Sequence, residues 1–213
     1  MRISELRERV RSAREQAASD ESLRGWLQRK LPQLHRAINV RDAAESTLFN
    51  FIQIYIERVP DLLEAAQSVA TNARMKAQLL PVLKVAEEFF LQPPEVAEAH
   101  HGLLLLLDEA YLAHRLVEEV NDRYLSHGGE PLIPMNNIKA NLIVHQLLGE
   151  EYANELDAAV DEAVAGLLPD KVFASPEFIA YKEGVDEQLQ RDMWRRWPSI
   201  SDELGVDLSW RDR

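Results

Sequence analysis

The sequence predicts an all-α protein, an irregular bundle of about seven to nine helices around one long central helix spanning about residues 94–124. Three observations carry that expectation. Apolar residues recur at three- and four-residue spacing from end to end, and no sustained alternation of β-branched residues between turn signals argues for a strand. Capping residues and prolines punctuate the chain at helix-length intervals. Leu103 to Leu107 is a run of five leucines followed at once by Asp108 and Glu109, and a helix apolar all round for more than a turn needs neighbours on every side.

The elements follow in order. Residues 4–17 are rich in Arg and Glu with few apolar positions, so residues 1–18 are expected to form a peripheral helix stabilised from elsewhere, for instance by a partner. Asp20 is a good N-cap for a helix carrying Leu23, Trp26, Leu27 and Leu31, which Pro32 ends. Residues 41–58 step Ala44, Leu48, Phe51, Ile52, Tyr55 and Val59 along one face. Pro60 suits a first helical turn, opening a helix expected to reach Leu80 and break at Pro81. Val82, Val85, Ala86 and Phe89 form the next short face, ending near Pro93, and the long rod follows.

Beyond Gly128 and Gly129, residues 130–135 with two prolines read as an extended loop before Asn136 caps a helix to about Leu148. Residues 150–168 form another, with Leu156, Val160, Val164 and Leu167 inward. Ser175-Pro176-Glu177 is the strongest helix start in the chain, opening a helix with Phe178, Tyr181, Val185, Leu189 and Met193. Residues 198–213 read as a capped turn at Ser199 and a polar tail.

At 213 residues, a single domain over 1–213 is expected, large enough to bury roughly 70% of its unfolded surface. The absence of cysteine excludes disulfides, thiolate metal sites, iron–sulfur clusters and thiol nucleophiles. A formal charge of −12, from 36 acidic against 24 basic residues, disfavours nucleic acid and anionic membranes as partners. No apolar run approaches the roughly 20 residues of a bilayer span, and the charged N-terminal residues do not read as a signal peptide, so the cytoplasm is the expected compartment. Phosphate-binding glycine loops, a serine elbow, His-Glu-x-x-His and dinucleotide fingerprints do not occur in the sequence, and no catalytic role is assigned.

Two candidate functional regions remain. A di-metal carboxylate site of the bundle kind wants two Glu-x-x-His pairs, and the chain has one, Glu98 with His101. Helical projection turns His101, Asp108, Arg115 and Glu119 to the solvent side of the rod, and His114 with Glu118 reads as a surface pair. Glu109, among Leu105, Leu112, Ala113 and Leu116, points inward. Asn137, Asn141 and His145 form a polar ladder at four-residue spacing on the next helix, whose solvent face is assigned to Lys139 and Gln146, and Glu45 lies among Phe49, Ile52 and Ile56. Glu45, Glu109, Asn137, Asn141 and His145 are therefore the candidate ligand pocket, with Glu45, Glu109 and His145 as the alternative ligand set for iron, manganese or zinc.

The second region is the C-terminal segment. There Trp194, Arg195, Trp197 and Trp210 have the tryptophan–arginine composition enriched at interfaces. The leading expectation is a non-catalytic module that binds a protein partner, a second copy of itself included. The alternative is a bundle protein binding a metal or small molecule at the Glu/His/Asn site.

Overall fold

The computed structural model describes residues 1–17, 22–40, 43–92, 103–128, 131–133, 136–184 and 200–208. The fold is all-helical. The helices are α1 (Ile3–Ala17), α2 (Ser22–Lys30), α3 (Ala44–Glu57), α4 (Val59–Asn72), α5 (Lys76–Leu91), α6 (Leu103–Gly128), α7 (Ile138–Leu148), α8 (Glu150–Leu167), α9 (Pro176–Glu183) and α10 (Ile200–Leu204). Short 3₁₀ turns occupy Leu31–Gln33 and Asp170–Ala174. Among the described residues, no helix is long and apolar enough to cross a membrane.

α6 is the axis. It packs against α1, α2, α3, α4, α5, α7 and α8, and its buried residues run around the whole circumference from Leu103 to His114, then narrow to a stripe ending at Val120 and Tyr124. The leucine run thus lies inside the protein, as its composition requires. The part of the expected rod before Leu103 lies outside the described residues.

Several local expectations are corrected. α1 is not peripheral. Leu6, Val10 and Ala13, spaced by four and three, are all buried, and the helix packs on α3, α4, α5 and α6. Three apolar side chains form a sufficient stripe when four helices receive it, and Glu87 of α5 accepts from the Arg2 backbone N–H at 2.5 Å and from its guanidinium at 3.2 Å. The break after α4 falls at residues 73–75, where Arg74 takes a left-handed φ of 58°, while Pro81 sits inside α5. Pro81 is exposed, so the helix continues through it with its missing hydrogen bond on the solvent side.

On α8 it is Leu168, just beyond the helix, that is buried, while Leu167 is 37% exposed. Ser175 caps α9 as expected, its hydroxyl accepting from Phe178 N–H at 3.2 Å. α7 begins at Ile138, with Asn137 at its cap position and no side-chain capping bond. In the preceding loop the Asn121 side chain of α6 accepts from Ile133 N–H at 2.8 Å and donates to its carbonyl at 2.6 Å, which anchors buried Leu132 and Ile133.

A strand pair that the sequence does not announce is present. β1 (Ile38–Val40) and β2 (Val206–Leu208) run antiparallel with Ile38 opposite Leu208. Three residues are too few for a visible alternation. The start of the expected polar tail is accordingly structured: Ser201 and Val206 are fully buried, Arg58 reaches Glu203 at 2.5 Å, and Lys139 of α7 pairs with Asp202 at 2.9 Å.

Candidate functional site

α7 and α8 are joined by Gly149 alone, at a φ of +103° that L side chains rarely adopt. This single-residue hinge sets α7 and α8 side by side against α6, and the three helices enclose an open cleft of about 410 Å³. Ile38 and Leu208, the facing pair of the small sheet, close one wall. Ile138 and Leu142 of α7 line the cleft while remaining 56% and 46% exposed. The exposed face of α7 is therefore this apolar pair, whereas Lys139 and Gln146, expected there, are half-buried.

The polar side of the cleft is built on α6. Tyr111, Arg115 and Glu118 are spaced by four and three and present one stripe toward α7 and α8. Arg115 lies 2.8 Å from Glu118 and donates through Nε to Asp157 of α8 at 2.9 Å. The Tyr111 hydroxyl donates to the same Asp157 oxygen at 2.9 Å. Asn141 of α7 donates to Glu118 Oε2 and accepts from the buried Tyr55 hydroxyl of α3 at 2.7 Å. His145, one turn further along α7, sets Nε2 3.2 Å from Asn154 Oδ1 and 3.7 Å from Asp157 Oδ2.

Electrostatics follow from this wiring. Burial pulls the Arg115 pKa down, but Glu118 and Asp157 more than reverse it, so the guanidinium is held charged. Burial, then the bond to Asp157, pushes the Tyr111 phenol upward and keeps it a donor. Arg115, Glu118, His145 and Asp157 side chains keep 18%, 16%, 18% and 25% exposure, so the cluster is shielded yet reachable.

Behind the cleft lies His114. It is 1% exposed, stacks on Tyr55 with centroids 4.1 Å apart, and is no surface partner of Glu118. Its Nε2 lies 2.9 Å from the Tyr55 carbonyl, which can only accept, so Nε2 carries the proton and Nδ1 accepts from the Asn137 amide at 3.0 Å. Burial lowers its pKa to about 4, which keeps the ring neutral.

The five candidate pocket residues are thus split. Asn141 and His145 line the cleft, and Asn137 sits behind it on His114. Glu45 is elsewhere: it accepts from Arg24 at 3.2 Å and Gln28 at 3.0 Å, both on α2, and the Gln28 and Arg24 bonds lower its pKa. Glu109 is buried at 4% exposure, as its apolar neighbours imply, but it does not line this cleft. The proposed ligand set of Glu45, Glu109 and His145 is consequently not assembled, and among the described residues no group of three His, Asp or Glu side chains could hold a metal ion. Asp108, expected in solvent, is 8% exposed and accepts from the Tyr152 hydroxyl of α8 at 3.1 Å. Trp194, Arg195, Trp197 and Trp210 lie outside the described residues.

The sequence reading missed Tyr111, Arg115, Glu118 and Asp157. Projection from the leucine face sent Arg115 outward, yet α7 and α8 cover that side of α6, and its polar residues meet partners across helices there. Compared with known proteins, the chain matches no family model, no curated protein and no solved structure.

Proposed function

We propose that the protein is a small-molecule binder whose site is the cleft between α6, α7 and α8, working in the cytoplasmic setting expected from the sequence. The observation that carries this reading is a cleft of about 410 Å³ that sets a cross-helix polar cluster against apolar residues left partly in water. Ligand sites commonly occupy some 300–1,000 Å³ between bundle helices, apolar with a few convergent polar groups. The cluster costs conformational freedom and desolvation to assemble, and its groups keep fractional access to the cleft. No catalytic step is assigned.

The test is a thermal-shift screen of a chemically diverse small-molecule library against the intact chain, followed by NMR of the His145 ring. A compound at about a hundred times its Kd should raise the melting temperature by roughly 5–10 °C. It should also move the His145 resonances, and Leu142→Trp, which fills the mouth, should abolish both effects. A library with no saturable hit at His145 overturns the reading.

The exposed Ile138 and Leu142 also favour a second reading, in which a protein partner, a second copy of the chain included, covers the mouth of the cleft. Light scattering that reports a concentration-dependent dimer, lost in Ile138→Asn, would favour that reading over the first.

A further inference from the structure

Resting on the small-molecule reading, we propose that the ligand is an organic cation, an amine with an apolar body, whose ammonium lies against Glu118 and Asp157 and whose body lies on Ile138 and Leu142.

The cleft carries net negative charge. Three carboxylates line it, those of Glu118, Glu150 and Asp157, against one guanidinium, that of Arg115. Arg115 is a poor receptor for an anion, because Glu118 and Asp157 already neutralise its charge from 2.8 Å and 2.9 Å. An incoming carboxylate or phosphate would meet two occupied donor directions and three like charges, whereas an ammonium would meet net attraction in a site partly screened from water.

The carboxylate oxygens are only half used. Glu118 uses Oε2 for Asn141 and Arg115, and Asp157 uses Oδ1 for Tyr111 and Arg115. Glu118 Oε1 and Asp157 Oδ2 accept no hydrogen bond from the described residues, and His145 Nε2 lies 3.7 Å from the latter. An ammonium has three donors and no acceptor, so it complements unused carboxylate oxygens without competing for Arg115. Asn141, 3% exposed, and Tyr55 behind it fix the Glu118 carboxylate in place, so its free oxygen is positioned before any ligand arrives.

The other half of the cleft is apolar. Ile138 and Leu142, one turn apart on α7, are 56% and 46% exposed beside this polar cluster. A hydrocarbon chain of a few carbons laid across them removes apolar surface from water on both partners, which a bare inorganic cation would not do.

The experiment is titration calorimetry of the intact chain with a matched series, hexylammonium, hexanol and hexanoate, with His145 NMR shifts reporting the location. Hexylammonium should bind at His145 at least about tenfold more tightly than hexanol, with hexanoate weaker still. Glu118→Gln, and separately Glu150→Gln at the exposed rim, should each shrink that preference several-fold. The rim variant keeps the test valid if Glu118→Gln fails to fold by circular dichroism. Hexanol or hexanoate binding at His145 as well as hexylammonium overturns the cation assignment and leaves the small-molecule reading standing. So does a library hit of another class when hexylammonium does not bind, or a preference unchanged in both variants. If nothing in the series or the library moves His145, both readings fall.

Discussion

Two buried polar regions flank the same helix and are treated in opposite ways. Toward α3, α7 and α8, the polar atoms of α6 enter a continuous network: His114 is held on both ring nitrogens, and Arg115 bridges two carboxylates that Tyr111 and Asn141 also engage. Elsewhere along α6, Glu109 is nearly as buried, yet its Oε2 has no hydrogen-bond partner among the described residues. Burial raises its pKa to about 7; Asp108 reinforces the shift, while its own backbone and the charge of Arg9 on α1 oppose it. Burial alone therefore does not make a site. Convergence of donors and acceptors from several helices beside an open cleft separates the first region from the second.

The network is most vulnerable at Arg115. Arg115→Met leaves Glu118 and Asp157 facing each other without a cation and should cost about 3 kcal/mol in denaturant unfolding at pH 7. A cost under roughly 0.5 kcal/mol would mean that the network does not hold the helices together. Glu109→Gln should act with the opposite sign. The Glu109 pKa is raised on folding, so its penalty is absent below the unfolded value of 4.5, grows as pH rises toward about 7, and is complete above it. The variant should be more stable than the parent by roughly 2–4 kcal/mol at pH 8 and equal to it near pH 4.5, read from paired unfolding curves.

His114 offers a sharper version. Its pKa falls on folding from 6.5 to about 4, so the unfolded chain binds the proton first, and stability is lost as pH drops through that window. The slopes from Glu109 and His114 oppose each other over much of the same range and should leave the parent's profile shallow. His114→Gln should expose the Glu109 slope, giving a variant whose stability falls steadily from pH 4.5 to 7 relative to its own acid value. A parent profile as steep as the variant's would disprove the compensation. The smallest effect is expected at Tyr152→Phe, which removes one donor to Asp108 and should cost about 1 kcal/mol by thermal melting.

The helical class, the enclosed rod, the cap at Ser175 and the inward turn of Glu109 were all legible in the order of residues, because periodicity and capping are local properties. A smaller part of the cleft was legible too: Asn141 and His145 stand out as polar rungs on an apolar helix. Their partners were not, since Asp157 is 42 residues from Arg115 and the strand pair joins Ile38 to Leu208. Glu45 misled because one helical wheel cannot report that a neighbouring helix carries Arg24 and Gln28 to meet it.

Short-range chemistry determined the helical class and the apolar stripe on most helices, since both depend on spacing along one chain segment. Tertiary structure decided which buried polar groups find partners. That depends on helix crossings, on a one-residue hinge at Gly149 and on a strand pairing far apart in sequence, none of which a linear pattern encodes. The same packing turned two apolar residues of α7 outward beside a polar cluster, and so made a cleft where the sequence offered only a ladder.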